Sequence, residues 1–156
     1  MLALKEKGVA PYGQRFEITG TIAEVLGRFA EGNAERIAGR ITAHRNMGKS
    51  HFLDLRDSTG RIQIFVHAKE IGEEQLAVFK LLDLGDFIGV EGETFVTRTG
   101  ERSLRVKNLT VLSKALRPMP DKWHGLADVE TRYRQRYLDL ISNPESMEVF
   151  RKRIAI

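Results

Sequence analysis

The chain has 156 residues and a formal net charge of +4, and its 42% hydrophobic and 29% charged residues are typical of a globular domain with its own core. It has no cysteine, which excludes disulfides, zinc–thiolate sites and a cysteine nucleophile, and its four histidines never recur at the i, i+4 spacing of a helical metal site. No segment approaches the roughly 20 apolar residues of a membrane span, and the N-terminus lacks a signal peptide, so we expect a cytoplasmic protein without a metal.

Two short helices are predicted before the first strand. The first is expected to end at Gly8. The second begins at Thr21, because Thr21 and Glu24 have the spacing of a capping box, in which each side chain accepts a hydrogen bond from a backbone N–H. This helix is expected to end near residues 31–33. Residues 1–33 are therefore predicted to form an N-terminal helical segment.

The next segment has the two-residue period of a strand. Ile37, Ile41 and Ala43 alternate with polar residues, and Gly39 is the expected position of a bend or bulge. If this alternation continues, Arg45 points inward unless the strand ends just before it.

A β-hairpin is predicted over residues 50–67, with Asp57-Ser-Thr-Gly60 as its turn. A four-residue turn fixes the register, and one face of the hairpin is then wholly aliphatic and must lie in the core. The other face carries six residues in three cross-strand pairs: Phe52 with Phe65, Asp54 with Gln63, and Arg56 with Arg61.

The remaining elements of the barrel follow in the order helix, strand, strand. The helix is expected at about 71–82, and the strands at about 86–97 and 102–112, with a turn at 97–100 between them. The order β-β-β-α-β-β is that of the five-stranded OB-fold barrel, whereas a sandwich would usually need more strands. We therefore predict a mainly β OB-fold domain over residues 34–113.

Residues 114–156 are predicted to form a helical connector. Its first part is punctuated by prolines, Asp128 caps a helix that runs to about residue 141, and Asn143-Pro144 begins another. Three residues are expected to form the buried side of the first helix: Tyr133, Tyr137 and Ile141.

The hairpin face with two phenylalanines is the candidate binding surface. A phenyl ring left in water gives up roughly 1.5–3 kcal/mol of burial, so something should cover Phe52 and Phe65. The N-terminal helix, a partner protein or stacked nucleic-acid bases could do so. Nucleic acid is favoured, because Gln63 can read a base edge and because this face of strands two and three binds oligonucleotides in OB-folds. Basic residues at 36–61 and 98–107 would form one positive face if they meet.

Several segments of the sequence resemble the bacterial lysyl-tRNA synthetase family. The longest runs from Lys114-Ala-Leu-Arg-Pro-Met-Pro-Asp-Lys-Trp-His-Gly to Arg134-Gln-Arg-Tyr-Leu-Asp-Leu-Ile141, where the family joins its anticodon-binding barrel to its catalytic domain. Arg45-Asn-Met-Gly-Lys-Ser-His-Phe52, Asp57-Ser-Thr-Gly-Arg-Ile-Gln63 and Thr97-Arg-Thr-Gly-Glu-Arg-Ser103 are similar to the same family. The resemblance covers essentially the whole chain.

This resemblance implies that the barrel binds the uridine-rich anticodon loop of lysine tRNA. Phe52 would stack on the central anticodon base and Gln63 would hydrogen-bond to its edge, while Glu101 and Arg45 would read or hold the neighbouring uridines. Glu101 could instead form an ion pair with one of the arginines near it in sequence. Three further residues are possible RNA contacts: Lys49, Arg56 and Phe65.

The residues that class II synthetases use for chemistry are not recognised in this sequence. It has no glycine-rich phosphate loop and no paired carboxylates. The resemblance implies that ATP, magnesium and lysine bind a catalytic domain beyond Ile156, and that the full-length enzyme is a homodimer. By itself, the chain is expected to be a catalytically inactive fragment.

The main alternative is a freestanding OB-fold protein that binds single-stranded nucleic acid. The connector argues against it, since Trp123 is interpreted as an anchor between domains, for which a freestanding binder has no use. Aspartyl and asparaginyl synthetases share the barrel, but the connector resembles the lysyl family instead. A protein-interaction role is disfavoured by the basic surface and by Gln63.

Overall fold

A computed structural model of the protein describes residues 2–13, 15–117 and 126–156. The chain forms two compact units, Met1–Leu116 and Arg117–Ile156. No helix within the described ranges is long and apolar enough to cross a membrane. Trp123, the predicted anchor between domains, lies outside the described residues.

The first unit is a five-stranded barrel with three helices. Its helices are α1 (Leu2–Glu6), α2 (Ile22–Gly27) and α3 (Ala68–Phe79). Its strands are β1 (Ala34–Met47), β2 (Ser50–Arg56), β3 (Arg61–His67), β4 (Phe87–Val96) and β5 (Arg102–Ser113). The strands close in the order β1-β2-β3-β5-β4, with β3 and β5 parallel and the other neighbours antiparallel. The predicted barrel, with its helix between the third and fourth strands, is confirmed.

The N-terminal helices contribute to the core of this barrel. Ile22 and Val25 of α2 are fully buried in the same apolar cluster as the inward side chains of the strands. The predicted capping box is present, and the β2–β3 turn adds to it, because Asp57 accepts a hydrogen bond from the Ile22 N–H at 2.8 Å. Since α2 ends at Gly27, it is shorter than the predicted helix.

A β-bulge in β1 changes which side chains face outward. The bulge lies between Ile41 and Ala43 and not at Gly39, where it was predicted. It forms because the loop before β4 binds the Ile41 backbone: the Ile41 N–H donates to the Asp86 carbonyl and the Gly85 N–H donates to the Ile41 carbonyl, both at 2.8 Å. Gly39 instead allows the backbones of β1 and β2 to lie close together, since a Cβ there would lie 3.0 Å from the backbone oxygen of Arg56.

The predicted inward direction of Arg45 is therefore wrong. One extra residue in a strand reverses the alternation that follows it. Beyond the bulge, His44 pairs with the core residue Leu53, and Arg45 pairs with Phe52 on the outer face. Arg45 is exposed although β1 continues to Met47.

The described part of the second unit, residues 126–156, contains three helices: α4 (Val129–Arg134), α5 (Arg136–Ser142) and α6 (Pro144–Ala155). Asp128 caps α4 as predicted, by accepting a hydrogen bond from the Thr131 N–H at 2.8 Å. The single predicted helix is instead broken at Gln135. This break interrupts the expected apolar stripe, and Tyr133 and Tyr137 are exposed, so the prediction that they are buried is wrong.

Asp139 holds these three helices together through its buried carboxylate. Arg132 donates to it from α4 at 2.7 Å, Asn143 donates at 2.6 Å, and Arg136 forms a further short contact. Burial alone would raise its pKa, but these hydrogen bonds, with one from Ser146, lower it to about 2.

We expect the second unit to lose stability in acid because of Asp139. A carboxyl with a depressed pKa stabilises the folded state above its unfolded pKa of about 3.9, and this contribution disappears as pH falls through about 2. In the wild-type chain, the protection factors of the α5 and α6 amides, which correct exchange for its intrinsic dependence on pH, should fall across this window. In an Asp139→Asn variant, the protection factors should already be low at neutral pH and should change little with acid. Equal protection in both proteins at pH 6 would contradict this.

Candidate nucleic-acid interface

Two rows of side chains cross the outer face of the barrel from β1 to β4. Paired residues on neighbouring strands lie about 4.8 Å apart and point to the same face. The first row contains, from β1 to β5, Arg45, Phe52, Phe65 and Arg105. The second row contains, from β2 to β4, Asp54, Gln63, Ser103 and Phe95. The hairpin pairs predicted from the four-residue turn are confirmed, and the parallel β3–β5 contact extends them across the barrel.

Gln63 is held in one orientation by its neighbours. Its side-chain amide nitrogen donates to Glu101 at 2.9 Å, and its amide oxygen accepts from the Ser103 hydroxyl at 3.0 Å. A carboxylate only accepts hydrogen bonds, so the amide nitrogen of Gln63 must face Glu101 and its oxygen must face Ser103. Gln63 is only 5% exposed. It is therefore a nearly buried polar group with a fixed orientation and not a solvated surface side chain.

Two arginines share two carboxylates beside this amide. Arg61 contacts Asp54 at 2.9 Å and Glu101 at 3.2 Å, and Arg45 lies 3.5 Å from the other oxygen of Asp54. Asp54 is 4% exposed, so its charge is stabilised mainly by these cations. Glu101 does form an ion pair, but its partner is Arg61 on β3 and not an arginine near it in sequence.

The aromatic side chains beside this polar group form a connected layer. The centroids of Phe52 and Phe65 lie 5.0 Å apart, and Phe95 meets Phe65 edge-on at 6.0 Å. The guanidinium of Arg105 lies over the Phe95 ring, 4.9 Å from its centroid. All three rings are half-buried, because they cover one another and leave part of each ring open.

The structure does not bring every predicted contact together. Phe52, Gln63, Glu101, Arg45 and Phe65 adjoin one another. Two other exposed residues, Lys49 just before β2 and Arg56 at its last position, are separated by roughly 20 Å of extended chain.

The α2 helix, one of the covers considered for the rings, binds the turn at the far end of the hairpin. Asp57 and Thr59 of this turn accept hydrogen bonds from the first backbone N–H groups of α2. Phe52 lies further along β2 toward the other end of the strand. The helix thus closes the barrel at the turn, and the rings remain partly exposed.

Sequence reasoning missed Ser103, Phe95 and Arg105 as members of this face. Strand alternation places Phe95 and Arg105 outward, and this signal was available. That β5 lies parallel beside β3 depends on barrel closure, which strand periodicity does not specify. The described residues contain no group of three or more histidine, cysteine, aspartate or glutamate side chains that could hold a metal ion.

The comparisons with known proteins agree with this geometry. The family described as OB-fold nucleic acid binding domain matches residues 35–112. The chain is 51% identical over 155 residues, 98% of its length, to a lysine–tRNA ligase of Pelotomaculum thermopropionicum, and 48% identical over 159 residues to one of Streptococcus suis. A lysine–tRNA ligase of Streptococcus pneumoniae is 50% identical over 159 residues.

These alignments cover 31–32% of each relative, so the chain spans about a third of the length of the curated relatives it matches. They confirm the resemblance to lysyl-tRNA synthetases. The family match, together with the closed barrel and its ring-bearing outer face, shows that this chain belongs to the family of OB-fold nucleic acid binding domains.

Proposed function

We propose that this chain recognises the uridine-rich anticodon loop of lysine tRNA as the anticodon-binding domain of a lysine–tRNA ligase. The observation that carries the proposal is the fixed amide of Gln63 beside the partly open ring of Phe52. A base stacked on Phe52 would present its polar edge to an amide whose donor and acceptor sides are already oriented.

The two contacts have different roles in this proposal. Stacking on Phe52 supplies affinity for any base, since every base has a π-face. Gln63 supplies discrimination. Each polar atom of its amide can form a second hydrogen bond beyond those to Glu101 and Ser103, which suits a uridine edge that presents a donor between two acceptors.

The charged residues would hold the neighbouring nucleotides. Glu101 offers carboxylate oxygens to the imino N–H of a uridine, and Arg45 is exposed at the end of the first row, where a phosphate or base can reach it. Phe65 would extend the stacking surface, while Lys49 and Arg56 would attract the RNA backbone from either end of β2.

The chemistry of aminoacylation would belong to the remainder of such a ligase. The relatives are about three times longer than this chain, and we infer that ATP, magnesium and lysine bind a class II catalytic domain outside it. In this proposal residues 1–33 and 34–113 form the RNA-binding part, and residues 114–156 connect it to that catalytic domain. The whole enzyme would act in the cytoplasm as a homodimer, and this chain alone would bind tRNA without catalysis.

We expect the chain to bind a lysine-tRNA anticodon stem-loop with an affinity that falls steeply as salt rises, because phosphate contacts release counterions. Phe52→Ala should weaken binding by about 1–3 kcal/mol through lost stacking, and Gln63→Ala by a similar amount through lost edge contacts. Fluorescence anisotropy at two salt concentrations measures both effects, with circular dichroism to show that each variant is folded.

Phe87→Ala is the matched control for Phe52→Ala. Phe87 is also a half-buried ring next to an arginine, with the Arg40 guanidinium 4.4 Å from its centroid, but it lies at the start of β4, far along the strand from Phe95. Its loss should leave RNA affinity within about twofold of wild type. Equal affinity for an unrelated anticodon loop at physiological salt would exclude the lysine assignment and leave a general single-strand binder.

A further inference from the structure

We propose that Phe95 and Arg105 form a second nucleotide subsite, which stacks a base of the same single-stranded RNA next to the one held by Phe52 and Gln63. This inference rests on the proposed RNA-binding function and adds to it a residue pair that the strand patterns did not single out.

The geometry of the pair is that of a stacking surface. The Arg105 guanidinium lies over the Phe95 ring, 4.9 Å from its centroid, and Phe65 contacts the ring edge-on at 6.0 Å. Arg105 is exposed, so its guanidinium can contact a base as well as the ring beneath it. Arginine planes and aromatic rings are the two side-chain surfaces on which unpaired RNA bases stack.

The charge of Arg105 distinguishes it from Arg45 and Arg61, the two arginines beside Gln63. Arg45 and Arg61 are close to Asp54, and Arg61 also contacts Glu101. Among the described residues, Arg105 has no carboxylate within 4.0 Å, although it is exposed and faces Glu93 across the β4–β5 ladder. Glu93 is paired with Lys107 instead. Arg105 thus offers an uncompensated positive charge for a phosphate.

The spacing requires that this subsite contacts a different nucleotide from the one on Phe52. Phe52 lies on β2 and Phe95 on β4, and the Phe65 ring lies between them, 5.0 Å from the Phe52 centroid and 6.0 Å from the Phe95 centroid. A base stacked flat on Phe52 therefore leaves Phe95 to another base of the same strand. Phe65 lies between the two subsites and contacts both rings, which makes the aromatic layer continuous.

The test combines protein variants with abasic RNA. Phe95→Leu and Arg105→Gln should each weaken binding of the lysine anticodon stem-loop by roughly tenfold, and Arg105→Gln should also reduce the salt slope by about one. The stem-loop is then made with a single abasic residue at each loop position in turn. At one position next to the central base, the losses from the abasic residue and from Phe95→Leu should not add, because both remove the same stacking contact.

Lys107→Gln is the matched control. It also removes one positive charge from β5, but the charge of Lys107 is already paired with Glu93. It should change affinity less than about twofold. Additive losses at every loop position, or equal effects of Arg105→Gln and Lys107→Gln, would overturn the subsite.

The same RNA series with Phe52→Leu separates the two proposals. One outcome is that the losses from Phe52→Leu and from an abasic central base do not add, while Phe95→Leu shows no coupling to any loop position. This outcome would overturn the subsite and keep the proposed function. Absence of coupling at both residues would overturn both proposals. Coupling at both, at different loop positions, is the expected result.

Discussion

Lys114→Met is expected to destabilise the barrel by about 3–5 kcal/mol, because it leaves a fully buried carboxylate without its cation. The Lys114 ammonium lies 2.6 Å from both Asp83 and Asp86, and Asp86 is 0% exposed. Asp86 also accepts hydrogen bonds from the backbone N–H groups of Asp83 and Ala115, both at 2.7 Å. This cluster joins the end of β5 to the loop that shapes the bulge in β1.

Urea denaturation followed by circular dichroism would measure this loss. Burial lowers the pKa of Lys114, but hydrogen bonds to Asp83 and Asp86 outweigh it and raise the pKa above its ordinary value. A raised lysine pKa gives stability that is fully present below about pH 10 and is lost only as pH rises through the folded pKa. The difference between wild type and variant should therefore be constant from about pH 6 to 9.

Lys107→Met provides the control, since it removes a lysine from β5, the strand that Lys114 directly follows. The Lys107–Glu93 pair is exposed on both sides, so its removal should cost only about 0–1 kcal/mol. If the two variants were equally stable, the buried cluster would contribute no more than a surface ion pair.

Gly92→Ala is expected to destabilise the protein by at least about 3 kcal/mol. A Cβ at Gly92 would lie 1.9 Å from the backbone oxygen of Arg105 and 3.1 Å from the Cα of Val106. Neither atom can move without separating β4 from β5, and Gly92 lies at an irregularity in this ladder. The glycine therefore permits the close approach that brings Phe95 and Arg105 together.

The matched control is Gly27→Ala, at the end of α2. A Cβ there would meet nothing within 4 Å, so the change in stability should stay within about 1 kcal/mol. Thermal unfolding of the two variants at one protein concentration compares them directly. A Gly92→Ala protein as stable as wild type would show that the two strands can separate at little cost.

The hairpin was predictable because its information is local. The four residues Asp57–Gly60 fix the turn, the turn fixes the register, and two-residue alternation then separates the core face from the outer face. Phe52 opposite Phe65 and Asp54 opposite Gln63 follow from these rules alone.

Arg45 could not be placed in this way. Its direction depends on the bulge after Ile41, and the bulge depends on backbone hydrogen bonds that Ile41 forms with Gly85 and Asp86, more than forty residues along the chain. Strand alternation carries no signal of such a contact. The same limit applies to the partners of Gln63, since Ser103 reaches it only after β5 has closed the barrel beside β3.

The helical unit shows a limit of another kind. Its caps at Asp128 and Asn143-Pro144 were visible as local signals, whereas the break at Gln135 interrupts a sequence with good helical periodicity. From helical periodicity alone, Asp139 would be an ordinary residue of one continuous helix. In the structure it binds an arginine on each side of the break. Tertiary ion pairs here prevail over local preference.

The barrel closes through its shortest ladder, the three parallel pairs between β3 and β5 that run from Gln63–Ser103 to Phe65–Arg105. RNA that occupies both subsites would cross this seam and bridge the strands on either side of it. Recognition would then be coupled to the integrity of the fold, because a ligand that binds only the closed barrel favours closure by mass action. The domain would be most resistant to opening while it holds its RNA.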